Sequence, residues 1–153
     1  MLMKGEYKIT TPEDFQSIID DVLVWHKKSK QKTLVIALQG DLGAGKTTFT
    51  QELGRHLKVT EHITSPTFTI MKQYEINYDD FDFLVHIDAY RIEDEAEAIP
   101  LRLSEIFEKP RTLVCIEWPE QIPSLVPKTA VLLKLEMGDS DVRIVTTQLS
   151  FEK

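Results

Sequence analysis

A single cysteine, Cys115, stands in a chain of 153 residues, so no internal disulfide can brace the fold. Hydrophobic residues make up 42% of the sequence, yet no apolar stretch is long enough to span a bilayer. The opening MLMKGEYKITTPEDF lacks the apolar core of a secretory signal. These absences predict a cytoplasmic protein. Basic charge is also scarce, with 18 Lys and Arg against 25 Asp and Glu and a net charge of −7. Such a balance excludes a non-specific grip on nucleic acid, which needs clustered cations to displace counterions. It leaves room for a protein partner that holds the nucleic acid. The one basic cluster, HKKSKQK at 26–32, fits the last turn of a helix, where cations suit the dipole. No repeat, low-complexity segment or break in composition is visible, so one domain over 1–153 is expected.

Glycine is also sparse, with six in the chain, but three of them fall within GDLGAG at 40–45. Before them runs TLVIALQ, continuously apolar and suited to a strand buried on both faces. After them, Phe49, Leu53 and Leu57 fall on one stripe of a predicted helix over 47–57. Gly54 lies inside that helix at a cost of about 1 kcal/mol against alanine.

Gly40, Gly45, Lys46 and Thr47 satisfy G-x-x-x-x-G-K-[ST], a phosphate-loop pattern that four fixed positions match by chance about once in two hundred chains of this size. Backbone N–H groups that converge on one anion need dihedrals that side chains forbid, hence the glycines. The following helix adds its positive end. The nucleotide-binding residues are then Asp41, Leu42, Gly43 and Ala44 in the loop, with Gly45, Lys46, Thr47 and Thr48 leading into the helix. Lys46 is placed to reach the β- and γ-phosphates of a nucleotide, and the Thr47 hydroxyl to meet Mg²⁺.

The rest of the chain supplies further strands. EYKIT (6–10) reads as a short strand, followed by a helix with Thr11 as N-cap and Pro12 at its first position. Phe15, Ile18, Ile19, Val22 and Trp25 mark its core face. TFTIMKQYEI (67–76) and FDFLVHIDAY (81–90) read as an antiparallel hairpin with a slightly long turn. RLSEIF (102–107) reads as a short helix, TLVCIEW (112–118) as another buried strand, and 129–137 with 142–150 as a closing hairpin. The predicted fold class is α/β, a three-layer sandwich like that of the P-loop NTPases, with a mixed, partly antiparallel sheet.

Such a site needs a carboxylate at the end of a neighbouring strand. Asp88 and Glu117 each close an apolar run. We assign Glu117 to the Mg²⁺ shell, and Asp88 to the attacking water or a metal-bound water. Ser65 and Thr67, in TSPTF, occupy the place where switch segments sense a γ-phosphate, or form a plain proline turn. His86 shares a strand face with Asp88, which makes it either a partner of that carboxylate or a core histidine. Arg91 reads as a surface partner of Glu93 or Asp94, or as an arginine for transition-state charge. Trp118 reads as packing beside the metal carboxylate, or as a reporter of conformational change.

In order, GDLGAGKTTF, SPTF, HIDAYR and IEWPE resemble the bacterial TsaE (YjeE) family, the small ATPase component of tRNA threonylcarbamoyladenosine synthesis. The resemblance runs from Gly40 to Glu120 and takes in the N-terminal strand and helix. It implies binding and slow hydrolysis of ATP with Mg²⁺. It also implies docking on a TsaB–TsaD complex, which carries the tRNA and modifies adenosine 37, and a nucleotide-driven resetting of that complex. By the family's motifs, Lys46, Thr67, Asp88 and Glu117 form the catalytic set. Thr47, Asp88 and Glu117 hold the metal, and Thr11 lies near the nucleotide base. EAIPLRLSEIFEKPRT departs from the usual wording, and the C-terminal hairpin matches no motif. A GTPase is excluded by the lack of N-K-x-D, and of D-x-x-G beyond the loop. A small kinase acting on a nucleoside or metabolite, and a nucleotide-gated binding module, remain as alternatives.

Overall fold

The computed structural model describes residues 5–66 and 70–148. Seven strands form one sheet: β1 (Glu6–Ile9), β2 (Thr33–Gln39), β3 (Met71–Tyr78), β4 (Phe81–Asp88), β5 (Thr112–Glu117), β6 (Val131–Met137) and β7 (Arg143–Gln148). Their spatial order is β1-β7-β6-β2-β5-β4-β3. The inner four, β6, β2, β5 and β4, run parallel. β1, β7 and β3 join antiparallel at the flanks. Burial explains the division. β5 is buried at every position and β2 at all but its last, as their unbroken apolar sequences require. β3 lies at an edge and keeps exposed Lys72, Gln73 and Glu75.

The α/β class and mixed sheet expected from the sequence are present. Helices α1 (Phe15–Ser29) and α2 (Lys46–His56) cover one face. Phe15, Ile18, Ile19 and Val22 of α1 and Phe49 and Leu53 of α2 pack there against Leu34, Ile36 and Leu113. The opposite face is covered by a 3₁₀ stretch (Glu95–Leu101), the short α3 (Leu103–Ile106) and the segment 118–130 after β5. Ile92, Ala98, Leu103 and Ile122 meet Val35, Val114 and Ile116 on that side.

Local details refine the expectations. The first turn after Thr11 is 3₁₀, Pro12–Asp14, and the α-helix starts at Phe15. The Asp14 carboxylate accepts from the backbone N–H groups of Thr11 and Thr10, at 2.9 and 2.8 Å, and those two bonds hold its pKa below the usual carboxylate value. The basic cluster does end α1, although His26 is buried and stacks on Phe81. The β3–β4 connection is shorter than expected. β3 extends to Tyr78 past an irregularity, and Asp79, at φ 46°, turns the chain. Residues 67–69 of the expected hairpin lie outside the described residues. Gly54 sits mid-helix because a Cβ there would come 2.1 Å from Cδ1 of buried Ile63.

Gly40 follows β2 and lies against the backbone of β6, where an added Cβ would be 2.6 Å from the Leu135 carbonyl oxygen. At Gly43 the space is open, but φ is +82°. Gly40→Ala is expected to lower the unfolding free energy by about 1–3 kcal/mol through this overpacking. Gly43→Ala should cost about 1–2 kcal/mol through its left-handed backbone alone. Urea titrations of the two variants check both values.

Candidate functional site

The parallel strands β2, β5 and β4 end at one crest. Leu38 and Asp88 both pair in register with Glu117, so two carboxylates and the loop after β2 emerge side by side. β2 has β5 on one side and β6 on the other, the topological position at which α/β sheets open a crevice. A cleft of about 480 Å³ lies there.

The loop turns through Gly43 (φ +82°) and Gly45 (φ +110°), left-handed conformations that a side chain resists. Ala44 N–H donates to Asp41 O at 3.0 Å, and Gly45 caps α2, whose first three residues line the cleft. Lys46 is 5% exposed. Its ammonium donates to the carbonyls of Gly40 and Asp41 and lies 3.8 Å from the centre of the Trp118 ring. Burial lowers its pKa, against the pull of Glu117, Glu120, Asp88 and Asp41. An almost buried cation that shares carbonyls and an aromatic face is ready to exchange them for phosphate oxygens.

Glu117 is 2% exposed and accepts two hydrogen bonds from the described residues. Thr47 Oγ1 donates to its Oε1 at 3.1 Å, and His86 Nε2 donates to its Oε2 at 2.6 Å. Asp88 is held separately. Ser65 Oγ donates to its Oδ2 at 2.6 Å, and the Tyr90 N–H to its Oδ1 at 3.0 Å. Below them, burial pushes the Cys115 thiol up to about 12, which leaves it protonated and unreactive at neutral pH. Among the described residues no three His, Cys, Asp or Glu side chains gather closely enough to cage an ion. A hydroxyl, a nearby carboxylate and room for phosphates are the hard-oxygen set that suits Mg²⁺, which is ordinarily held by one or two carboxylates plus substrate.

Of the residues predicted from sequence, Leu42, Gly43, Gly45, Lys46, Thr47 and Thr48 line this cleft, as do Asp88 and Glu117. Asp41 and Ala44 line a separate hollow behind the loop, beside β6. Thr11 is not among the cleft's lining residues. It sits by the 3₁₀ turn that packs on α2, near Phe15, whose ring lies 3.5 Å from where a Gly45 Cβ would stand. Thr67 lies outside the described residues. Ser65, Pro66 and Arg91 line the cleft, and Trp118, at φ 60°, packs 5.0 Å from the Tyr90 ring. The His86 partner differs from the one predicted, being Glu117 across the strand pair rather than Asp88 on its own strand.

Arg143 escaped sequence reasoning. It opens β7, its Nη2 donates to Gly43 O at 3.2 Å, and its side chain lies 3.2 Å from the Gly45 Cβ position. Its buried Nε has no hydrogen-bond partner among the described residues, and the side chain lines the cleft. No local signal marks it, because the contact spans 100 residues of sequence.

The profile of the family described as "Threonylcarbamoyl adenosine biosynthesis protein TsaE" matches residues 10–145. The protein of Bacillus subtilis (strain 168) named tRNA threonylcarbamoyladenosine biosynthesis protein TsaE is 34% identical, over 92% of this chain and 83% of its own length. The protein of the same name from Aquifex aeolicus (strain VF5) is 32% identical, over 95% of this chain and 96% of its own. The crystal structure of Bacillus subtilis YdiB superposes with a TM-score of 0.68 at 27% identity, covering 95% of this chain and 85% of that one. With matched sequence running from the 3₁₀ turn to β7, and a loop, carboxylates and crest in that order, this chain belongs to the TsaE family of threonylcarbamoyl adenosine biosynthesis proteins.

Proposed function

We propose that this protein is a Mg²⁺-dependent ATPase that works in tRNA threonylcarbamoyladenosine formation, in the cytoplasm, by docking on a TsaB–TsaD complex and resetting it with the energy of ATP. One observation carries the nucleotide reading. The Thr47 hydroxyl meets Glu117 at 3.1 Å, one residue from a buried Lys46, at the N-terminus of α2. A hydroxyl, a carboxylate and an ammonium at a helix N-terminus are the parts that phosphoryl chemistry uses.

In this reading the N–H groups from Gly43 to Thr48 cradle the phosphates. Lys46 leaves the Gly40 and Asp41 carbonyls for the β- and γ-phosphate oxygens. Thr47 and Glu117, which now share a hydrogen bond, would be the residues that hold the metal. Mg²⁺, when bound, neutralises charge on the β- and γ-phosphates. Asp88, fixed by Ser65 and the Tyr90 N–H, orients the attacking water from the neighbouring strand. Arg143 braces Gly43 and directs its guanidinium into the cleft, where it meets the bound nucleotide. The acidic chain leaves tRNA to its partners, consistent with its net charge of −7.

Isothermal titration with ADP and Mg²⁺ is expected to give saturable heat that Lys46→Ala abolishes. Glu117→Ala should lose ATP hydrolysis without weakening the binding of Mg²⁺-free ADP. Hydrolysis at the wild-type rate by Glu117→Ala would sink the assignment. Removing the Arg143 guanidinium deletes a charge-assisted contact worth about 1.5–3 kcal/mol. Arg143→Ala should therefore weaken ADP binding by roughly ten- to a hundredfold in the same titration. Co-purification with TsaB and TsaD should depend on which nucleotide is present. Pull-downs with ATP, ADP and a non-hydrolysable analogue that recover equal amounts would remove the resetting role.

A further inference from the structure

His86 is completely buried on β4, in the middle of a motif that otherwise supplies Asp88. Its backbone pairs with Cys115, but its side chain reaches one pleat further along β5 to Glu117. The contact is short, 2.6 Å, and both groups are shielded from water. A buried carboxylate is costly unless hydrogen bonds satisfy it. Among the described residues the two oxygens have one donor each, from different elements: His86 of β4 on Oε2 and Thr47 of α2 on Oε1.

The two donors are not equivalent. Thr47 belongs to the phosphate loop, and in the proposed function it turns to the metal and phosphates when they bind. The His86 bond is then the one that remains. Its ring is fixed to no other polar group through Nδ1, which is buried and has no hydrogen-bond partner among the described residues. Among the described residues, Glu117 is the one hydrogen-bond partner of this side chain.

We propose that His86 is a positioning residue. By holding Glu117 Oε2 it keeps Oε1 aimed at Thr47 and the loop, and it thereby sets the affinity of the nucleotide site for Mg²⁺ without touching nucleotide. The inference rests on the reading of Glu117 as a metal ligand. Partners that orient metal ligands in this way are typically worth about 10–100-fold in metal affinity.

The test is calorimetric titration of ADP into the whole chain, repeated over a series of Mg²⁺ concentrations, with a thermal melt of each variant. Wild type should bind ADP more tightly as Mg²⁺ rises, and Glu117→Gln should lose that gain. His86→Leu should raise the Mg²⁺ concentration at half-effect by about 10–100-fold and leave Mg²⁺-free ADP affinity unchanged. His86→Gln, whose amide N–H₂ reaches as far as the imidazole Nε2, should restore most of the loss. An unchanged midpoint in His86→Leu, alongside a lost Mg²⁺ effect in Glu117→Gln, overturns the positioning role and spares the metal assignment. An intact Mg²⁺ effect in Glu117→Gln overturns both. If His86→Leu does not fold, His86→Gln is compared with His86→Asn, whose donor stands one methylene short. Equal midpoints for these two overturn the proposal, and a higher midpoint for His86→Asn supports it.

Discussion

The arrangement of the site depends on one buried carboxylate. Glu117 sits at the end of the most enclosed strand, with Thr47 on one oxygen and His86 on the other. Three elements meet there: α2 brings the hydroxyl, β4 the imidazole, and β5 the acid. A lone carboxylate at 2% exposure is unfavourable, so these donors fix where the ends of the elements lie relative to one another. The glycine-rich loop inherits that precision, because Thr47 is the second residue of α2 and cannot move without moving the helix N-terminus.

The sheet topology explains why the acid is central. β5 lies between β2 and β4, parallel to both, so residues in register at their C-terminal ends share one crest. Asp88 is the neighbour in register on β4, but its donors come from connections, Ser65 and Tyr90. The two carboxylates therefore differ in environment. One is locked among regular elements, and the other is coupled to the segment that enters β3 and to the turn that leaves β4. Groups held by connections respond most readily to a ligand or partner, while groups held by packed strands keep their geometry.

Much of this was legible from local sequence. Three glycines before Lys46 announced the loop, and the positive φ angles of Gly43 and Gly45 are the reason they are glycines. Unbroken apolar runs announced β2 and β5, and the acids at the ends of β4 and β5 followed from them. What the sequence hid is what register and long-range closure decide. His86 was placed with Asp88 by alternation along one strand, yet its bond crosses to Glu117, a choice that depends on how β4 and β5 slide against each other. Arg143 had no local mark at all. It reaches Gly43 because β7 pairs with β6, and β6 lies beside β2. The second covering layer and its short helix at RLSEIF were expected, but the 3₁₀ stretch beside that helix was not, since such turns have no lasting periodicity.

The electrostatics of the cleft show why the lysine can be both buried and ready. Taking an ammonium out of water disfavours its charge, and the lowered pKa of Lys46 reflects this. Carbonyls of Gly40 and Asp41 and the face of Trp118 offset part of that cost. All three are neutral groups, whereas a phosphate is an anion. Moving the ammonium from carbonyl to phosphate replaces neutral hydrogen bonds by charge-assisted ones at about the same degree of burial, so the desolvation already incurred in folding is not incurred again on binding. Glu117 and Asp88 oppose a phosphate brought in alone, and a divalent cation between them and the phosphates reverses the sign of that interaction. In the proposed function, the same pair of carboxylates that helps keep Lys46 charged would thus make anion binding conditional on the metal.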